Sequence, residues 1–589
     1  MKPNSKIASF FNALFVDFRH LNIIAKIEKV VDRMNPSEKI FFFLVSLVCV
    51  VSGLVLLIRV HNSFLVAVPS FGGSFTEGVV GSPRFINPVL AISDTDKDLV
   101  TLVYSGLLKV GDDGFVEDLA SSYEIKEGGT VYDFVIKDSA YFHDGKKVTA
   151  DDVIFTVAKI LDPVIKSPKR ANWEGVRVEK ISDQAVRFTL EKPYAPFLEA
   201  LTVGILPKHI WEKASSEEFP FSEFNIDPIG SGPYKIKKIG KNGGGIPTII
   251  TLSSFHNYAL GRPKIESIVF KFFQNENDLH LAYEDRSVDS MAGLSPTVAR
   301  SFGDNKNLLK NAALPRVFGV FLNQNLAPVF LNKEVREALN IAAPKQQIVD
   351  EVLYGFGRVL NGPTPLDKET DSEIVQGNAE KAKSILLENG WKENENGLLE
   401  KKTKTGTTLL SFSITTSDAP ELKKTAQILE EAWEKLGAQI DVKIFEPGDL
   451  SQNIIRGRKY DALLFGEMVG AESDLYPFWH SSQRIDPGLN ISLYTNITVD
   501  KMLEEIQRNV GTSSTESMDK KDVVVSEIKN DIPVIFLFSP NLLYVAADEV
   551  KNVLLKDVSS QNEIFLSINK WFIETDKVWK IFVPKNQLE

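Results

Sequence analysis

Histidine and cysteine, which often act in catalysis and bind metals, are few in this chain, and their spacing favours neither role. The histidines never recur at i and i+4 with an acid between them, the spacing by which a helix can hold zinc. The single cysteine, Cys49, excludes an intramolecular disulfide and a cysteine-based zinc site. No G-x-S-x-G elbow and no Walker motif occurs. We therefore expect no enzyme activity, no resident metal and no cofactor. The seven histidines are His20, His61, His143, His209, His256, His280 and His480.

The elements that could position a binding site are clearest in the stretch 132–161, where a strand, a turn and a helix start follow one another. Alternating apolar residues predict a half-buried strand from Tyr132 to Ile136, and Asp144-Gly145 supplies a turn with positive φ. Thr149 then opens a helix, because its hydroxyl can accept a free N–H of the first turn and Asp152 completes a capping box. The apolar face of this helix consists of Val153, Val157 and Ile160.

The second half of the chain changes to longer helices that alternate with strands. An amphipathic helix is expected over residues 378–390 and ends at Gly390. A strand over Thr408–Thr415, a helix over Pro420–Leu436 and a strand over Gln439–Phe445 then form a βαβ unit. Such a unit requires parallel strands, so this half is expected to be an α/β lobe. In the first half, two short strands, 176–179 and 185–190, predict a hairpin.

Length and charge limit the class of protein. A chain of 589 residues is too long for one hydrophobic core, so two or more lobes are expected. Lys and Arg number 67 against 78 Asp and Glu. This acidic balance does not favour a nucleic-acid partner, which requires a basic surface.

An apolar run near the N-terminus predicts one membrane span. Residues Ile40–Ile58 are uncharged, and these 19 residues match the roughly 30 Å core of a bilayer at about 1.5 Å per residue. The run is longer than the apolar region of a secretory signal, and Val66-Ala67-Val68 is a poor cleavage site, so we expect the anchor to be retained. Cys49 lies in mid-run after a valine, which disfavours lipidation.

The charges on either side of this run predict its orientation. Residues 1–39 carry seven Lys and Arg against four acids, a net of +3, whereas the part beyond Arg59 has a net charge of −15. By the positive-inside tendency the N-terminus is cytoplasmic, and the large domain is extracellular or periplasmic. Residues 1–39 are expected to form an amphipathic segment on the inner leaflet or on a partner, or else a solvated helix before the anchor.

Four segments in order resemble one known family. The pattern F-H-D-G-x-x-V-T-A-x-D-V at Phe142–Val153 resembles the signature region of the family 5 extracellular solute-binding proteins, the oligopeptide-, dipeptide- and nickel-binding components of ABC importers. The resemblance covers about Gly72 to about Trp571. The other matching segments are Gly81–Pro88 with Ser105–Leu108, Gly230–Tyr234 and Val335–Ala342.

The resemblance implies an α/β fold of the two-lobed periplasmic-binding-protein type (type II, cluster C-like), with an extra subdomain on lobe 1 and a single N-terminal transmembrane helix before it. Two chain crossings, near Phe318–Asn325 and near Ile535–Tyr544, are expected to form a hinge. The expected ranges are 1–39 for the cytoplasmic segment, 40–58 for the span, 59–71 for a linker, 72–322 for lobe 1 with a subdomain at about 110–228, 323–535 for lobe 2 and 536–589 for a return to lobe 1.

The function that the resemblance implies is capture of a solute between the lobes. The expected ligand is a peptide, oligopeptides above all, or another small solute, and the expected partners are ABC permease subunits and, through them, ATPase subunits. The protein itself is expected to be a monomer. A sensor or docking receptor without a transport role is the alternative, because an anchored domain with a cytoplasmic segment could also report occupancy.

The resemblance also implies where the ligand binds. In peptide-binding relatives an acid in the loop after one strand pairs with the α-ammonium group of the peptide, and this chain offers Glu467, Glu472 and Asp474. The alternative is that these acids cap turns on a solvated loop. Tyr476 and Trp479 either wall the site or pack the loop down. The full expected set is Phe85, Asn323, Phe465, Glu467, Glu472, Asp474, Tyr476 and Trp479.

Overall fold

The computed structural model describes residues 29–111, 114–194, 197–303, 308–365, 377–403, 406–470, 474–508, 515–555 and 558–583. The chain divides into two compact units. The first, which we call the anchor unit, lies within Met1–Pro69 and Thr575–Glu589, and the second, the binding unit, spans Ser70–Glu574.

The helices of eight residues or more are numbered in chain order. They are α1 (Pro36–Ser63), α2 (Asp94–Val103), α3 (Ala150–Leu161), α4 (Glu276–Glu284), α5 (Lys333–Ala342), α6 (Lys345–Val352), α7 (Ala379–Glu388), α8 (Pro420–Glu434), α9 (Ile497–Arg508) and α10 (Thr515–Asp531).

The strands are numbered in the same way. They are β1 (Leu65–Pro69), β2 (Ser74–Val80), β3 (Leu108–Gly111), β4 (Gly114–Glu117), β5 (Ala120–Lys126), β6 (Val131–Ile136), β7 (Arg177–Ser182), β8 (Ala185–Thr189), β9 (Tyr234–Lys241), β10 (Pro247–Ser254), β11 (Ser267–Phe273), β12 (Ser290–Ala292), β13 (Leu309–Ala313), β14 (Arg316–Leu322), β15 (Gly357–Val359), β16 (Lys392–Glu393), β17 (Leu399–Thr403), β18 (Gly406–Leu409), β19 (Ser411–Ser417), β20 (Gln439–Phe445), β21 (Ala462–Met468), β22 (Val534–Val545) and β23 (Thr575–Trp579).

In the anchor unit, α1 is the one helix of the described residues that is long and apolar enough to cross a membrane. It begins with a capping box, in which the Asn35 backbone N–H donates to Glu38 at 2.9 Å, and it extends the predicted span by several residues at each end. The residues predicted as a linker are not irregular, because β1 pairs with the C-terminal strand β23 in an antiparallel ribbon.

The binding unit has the mixed α/β, two-lobed architecture of periplasmic binding proteins. In lobe 1, β2 and β9 to β12 form the sheet, and β5 to β8 form a separate antiparallel sheet that includes the predicted hairpin. The predicted helix start is confirmed, since the Thr149 backbone N–H and hydroxyl both donate to Asp152, at 2.9 and 2.7 Å. The apolar face of α3 is buried as predicted.

Two of the segments that carry the resemblance contact each other in lobe 1. The His143 ring lies between Gly230 and Gly232: its Nδ1 accepts from the Gly230 N–H at 3.3 Å, and its Nε2 donates to the Gly232 carbonyl at 3.1 Å. Burial lowers the His143 pKa to about 4, against the effect of the Gly232 hydrogen bond, so the ring is neutral near pH 7. One histidine thus holds the F-H-D-G turn and the G-S-G-P-Y turn together.

Lobe 2 contains the predicted βαβ unit. Strands β19 and β20 are parallel, and α8 connects them, with Trp433 buried against the sheet. The strand predicted over Thr408–Thr415 is two strands in the structure, β18 and β19. Helix α7 is capped by Asn378 and ends before Gly390, whose φ of 87° only glycine adopts readily.

One continuous sheet runs through both lobes, and two strands cross between them. Strand β22 pairs with β14 in lobe 2 and then with β12 and β13 in lobe 1. The other crossing lies between β13 and β14, a few residues before the predicted Phe318. Hydrogen bonds link the two crossing segments. The Ser539 hydroxyl donates to the Leu314 carbonyl at 2.6 Å, and the Leu314 N–H donates to the Pro540 carbonyl at 3.2 Å. The predicted domain boundaries remain predictions.

Candidate ligand-binding cleft

A cleft of about 550 Å³ lies where the two lobes face each other. Lobe 1 contributes residues from α2, β3 and the segment 559–566, and lobe 2 contributes Arg316, the end of β21 and the loop after it. A second cavity of about 360 Å³ follows the crossing strands past the stacked rings of Phe318 and Phe538. Both cavities include Asp94 and Arg316, so they are two parts of one cleft.

Arg316, at the start of the crossing strand β14, places a positive charge in this cleft. It begins β14, where its backbone pairs with Met468, and its side chain is half-buried. Its Nε is buried and has no hydrogen-bond partner among the described residues. A guanidinium with an unsatisfied N–H facing a cleft is suited to a carboxylate or a peptide carbonyl of a ligand.

Asp118 is a buried acid on the lobe 1 side of the cleft. Burial raises its pKa to about 6, and the positive charge of Lys109 opposes this rise. Hydrogen bonds from the hydroxyl groups of Ser105 and Tyr258 oppose it as well. Because a buried negative charge costs free energy, this position favours a ligand that brings a positive charge.

A second acid of lobe 1, Glu563, is held in place by its neighbours. The Ser559 N–H donates to its Oε2 at 2.8 Å, and the Ser560 hydroxyl donates to its Oε1 at 3.3 Å. Burial raises the Glu563 pKa to about 7, more than these two hydrogen bonds lower it. The adjacent Asn562 donates to the Thr101 hydroxyl at 2.9 Å and so joins this segment to α2.

Asp474 is the predicted acid that the structure places in the cleft. It lies on lobe 2, and its negative charge contributes to a raised pKa of Tyr194 on the lobe 1 side, after the larger effect of burial. Burial also raises the Asp474 pKa, while a hydrogen bond from the Tyr476 N–H at 3.1 Å opposes the rise. One carboxylate oxygen of Asp474 thus accepts a hydrogen bond within the turn, as expected if this acid caps the turn. The residue still borders the cleft.

The comparisons with known proteins agree with this geometry. The model of the bacterial extracellular solute-binding proteins, family 5, matches residues 114–485. The oligopeptide-binding protein AppA of Bacillus subtilis is 31% identical over 489 residues, which cover 80% of this chain and 87% of AppA.

The chain belongs to family 5 of the bacterial extracellular solute-binding proteins.

Solved structures of relatives have the same two-lobed fold. The structure of Bacillus subtilis AppA in complex with a nonapeptide has a TM-score of 0.66 and 28% identity, and the match covers 86% of this chain and all of that one. NikZ of Campylobacter jejuni, in complex with Ni(L-His), has a TM-score of 0.66 and 26% identity, with 85% and 99% covered. The resemblance inferred from the four sequence segments is thereby confirmed.

Of the other residues expected to bind ligand in this family 5 protein, those that the structure describes lie around the cleft rather than in its lining. Glu467 is buried on β21 beside Arg458, and burial raises its pKa well above the ordinary value. Phe465, on the same strand, packs partly buried against a core of lobe 2. Glu472 lies outside the described residues.

Tyr476 and Trp479, in the loop after β21, make ring contacts within lobe 2, and their role in ligand binding remains a prediction. Trp479 is buried against Tyr494 and Phe536, with ring centroids 6.1 and 6.0 Å apart. Tyr476 stacks on the His480 ring at 4.3 Å. The apolar wall of the family 5 cleft at this point comes instead from Pro477 and Phe478, which the sequence analysis did not select.

Asn323 and Phe85 are both engaged in local structure. The Asn323 side chain donates to the Arg458 carbonyl at 3.0 Å and accepts from the Asn325 N–H at 3.1 Å, so it forms the turn after β14. The Phe85 N–H donates to Asp96 at 2.9 Å, and its ring packs against the lobe 1 core. Their roles in ligand binding remain predictions.

The cleft residues that the sequence analysis missed come from three distant parts of the chain. Asp118, Arg316 and Glu563 lie in short segments without a motif. The one available signal was the sequence Leu314-Pro315-Arg316 directly before a predicted crossing. Across the described ranges, no group of three or more His, Cys, Asp or Glu residues is arranged to hold a metal ion.

Proposed function

We propose that this protein is the membrane-anchored extracellular solute-binding protein of an ABC importer, which captures peptides, most of all oligopeptides, between its lobes. The observation that carries this proposal is the cleft itself. It places acids and bases of both lobes around one space at the two crossing strands. The family supports a binding role, and the relative AppA is named an oligopeptide-binding protein.

The mixture of charges in the cleft suits a peptide. A free peptide has an ammonium group at one end, a carboxylate at the other and hydrogen-bonding groups between them. The cleft offers Asp118 and Asp474 for positive groups and Arg316 for negative or carbonyl groups. We propose Asp474 as the partner of the α-ammonium group, because it comes from the loop that the family resemblance indicates and borders the cleft.

Capture is proposed to occur by closure about the two crossing strands. Closure needs contacts that the ligand makes with both lobes at once, since a ligand shifts the equilibrium only by its differential affinity for the closed form. Asp118 and Asp474 lie on opposite lobes, so one bound peptide can contact both. The closed form would then be recognised by the permease, whose ATPase subunits supply the energy of transport.

The location follows from α1. We propose that this helix crosses the cell membrane once with the N-terminus in the cytoplasm and the binding unit outside. The anchor would keep the protein near the permease without a lipid attachment.

Mass spectrometry of small molecules that co-purify with the protein tests the proposal. The full chain is extracted in detergent and denatured, and the released molecules are compared with those from a fragment that covers Ser70–Glu574. Peptides of mixed sequence and narrow length range would support the importer function. A single non-peptide solute would overturn the peptide assignment and keep the binding function. A cleft that is empty and binds no member of a peptide library would favour the sensor or docking receptor.

Replacing Asp474 with asparagine tests the ammonium site. We expect a roughly 10- to 100-fold loss of affinity for peptides with a free N-terminus, because a hydrogen bond to a charged group contributes about 1.5–3 kcal/mol. N-acetylated peptides should bind both proteins equally. Titration calorimetry measures the dissociation constants. Because burial raises the Asp474 pKa, acidification should weaken wild-type binding at a higher pH than an exposed aspartate would.

The matched control is Asp183→Asn, which removes the same charge from the exposed turn between β7 and β8. It should leave both affinities unchanged. Equal losses for free and acetylated peptides in Asp474→Asn would show that the residue shapes the loop and does not pair with the amine.

A further inference from the structure

The anchor unit carries apolar side chains around β23 that are exposed among the residues that the structure describes. Trp579 is 37% exposed, Phe64 51%, Phe582 66% and Ile581 75%. We call these four residues the juxtamembrane patch. Large apolar side chains that stand together in solvent mark a surface that is covered in use.

The patch is held rigidly against the end of α1. The Trp579 indole N–H donates to His61 Nδ1 at 3.1 Å, and its ring stacks on Phe64 with centroids 5.9 Å apart. The Lys580 N–H donates to the Phe64 carbonyl at 2.9 Å. Strand β23 pairs with β1 over five residues, from Leu65 opposite Trp579 to Pro69 opposite Thr575. Residues 575–580 are thereby bonded to the end of α1 and to β1 through backbone and side-chain hydrogen bonds.

The position of the patch along α1 identifies what covers it. The uncharged run ends at Ile58, and His61, to which Trp579 donates, lies three residues further on, about 4.5 Å along the helix axis at about 1.5 Å per residue. The headgroup layer on each side of a bilayer is roughly 5–8 Å thick. Tryptophan and other large apolar residues are enriched in that layer, where an amphipathic ring has one apolar and one wet side.

We propose that the juxtamembrane patch docks into the interfacial layer of the lipid bilayer. This inference rests on the anchor of the proposed function and adds a second, C-terminal membrane contact. The neighbouring Lys577 and Lys580 are exposed beside the patch and suit anionic phospholipid headgroups.

Fluorescence quenching tests the docking. Six of the seven tryptophans are buried, so a collisional quencher reaches mainly Trp579. The full chain is reconstituted into vesicles of phosphatidylethanolamine and phosphatidylglycerol that carry a nitroxide either on the headgroup or deep in the acyl chain. We expect the headgroup nitroxide to quench the tryptophan emission, the deep nitroxide to quench it several-fold less, and the Trp579→Phe variant to lose the headgroup effect.

Two further variants separate the patch from exposed apolar surface in general. The double variant Ile581→Ser with Phe582→Ser should reduce headgroup quenching several-fold while the chain stays in the vesicles. The control is Leu554→Ser, which removes an exposed leucine of the binding unit and should change nothing.

Flotation of the same vesicles distinguishes a failure of the patch from a failure of the anchor. A chain that floats with the vesicles but whose Trp579 is quenched by aqueous iodide alone overturns the docking and leaves the anchor in place. A Trp579 shielded from the lipid nitroxides and from iodide also overturns it, since a second copy of the chain would then cover the patch. A chain that does not float overturns the anchor and with it the docking.

Discussion

Replacing Glu77 with glutamine is expected to remove a substantial part of the loss of stability that the wild-type protein undergoes as the pH rises from about 5 to 9. Glu77 lies fully buried on β2, where its Oε2 accepts hydrogen bonds from the Ser290 hydroxyl and, at 3.0 Å, from the Tyr544 hydroxyl. Burial raises the Glu77 pKa to about 8, and the nearby acids Asp98 and Asp289 add to the rise. The carboxyl is therefore mostly protonated in the folded protein at pH 7.

The direction of the effect follows from proton linkage. Between its ordinary value of 4.5 and about 8, the folded protein binds a proton that the unfolded chain has released, so stability falls as the pH rises. At about 1.4 kcal/mol per pH unit, this interval corresponds to an upper bound of about 5 kcal/mol. Glutamine keeps an acceptor for both hydroxyl groups and has no charge to desolvate, so the variant should gain stability over wild type above pH 8.

Denaturant unfolding at a series of pH values, followed by tryptophan fluorescence, measures this difference. Trp571 provides a local reporter, because its ring lies 6.4 Å from that of Tyr544. The control is Glu124→Gln, since that acid is exposed on β5 and should leave the pH profile parallel to wild type. A parallel profile for Glu77→Gln would show that Glu77 is ionised in the folded protein and that the reasoning is wrong.

The neighbouring Asp98 has the same dependence and is not removed by this change. It is buried on α2, where Gln561 donates to its Oδ2 at 2.7 Å, and burial raises its pKa well above the ordinary value. We therefore expect Glu77→Gln to leave a residual slope. His143 acts in the opposite direction, because its pKa in the folded protein is lowered to about 4. As the pH falls below about 6.5, the unfolded chain binds a proton that the folded protein does not, so the folded protein loses stability.

Features with local causes were predictable from the sequence. The start of α3 depends on Thr149 and Asp152, which are three residues apart, and the parallel pairing of β19 with β20 follows from one βαβ unit. The end of α7 follows from a glycine in the left-handed region. In each case the residues that decide the structure lie within one or two elements, so their spacing is visible in the chain.

Features that join distant residues were not predictable in the same way. The ribbon of β1 and β23 pairs residues about 510 positions apart in the chain, and neither strand carries a signal for its partner. The cleft unites Asp118, Arg316 and Glu563 only after both lobes have folded. At Phe478 and Trp479, a rotation of one residue in a short helical turn decides which ring enters the cleft, and composition does not specify that rotation.

Replacing Gly230 with alanine is expected to destabilise lobe 1 by about 2–6 kcal/mol, a large part of the usual stability of a domain. A Cβ at this position would lie 2.0 Å from the Val103 carbonyl oxygen at the end of α2. Backbone atoms at that distance must move, and overpacking costs about 1–3 kcal/mol. The movement would also weaken the two bonds between Gly230 and His143, one of which joins the His143 N–H to the Gly230 carbonyl at 2.8 Å.

The same change should reach the cleft, because Pro233 follows the turn and lines it. We expect the variant to unfold at a lower midpoint urea concentration than wild type. In the absence of urea, where the variant remains folded, titration calorimetry should show weaker ligand binding. Gly243→Ala is the matched control, since a Cβ there meets no atom within 4 Å and the residue lies at the exposed tip of the β9–β10 hairpin. If Gly230→Ala lowers stability but leaves ligand affinity unchanged, the turn stabilises the core of lobe 1 and does not affect the cleft. Unchanged stability would refute the close packing of the turn against α2.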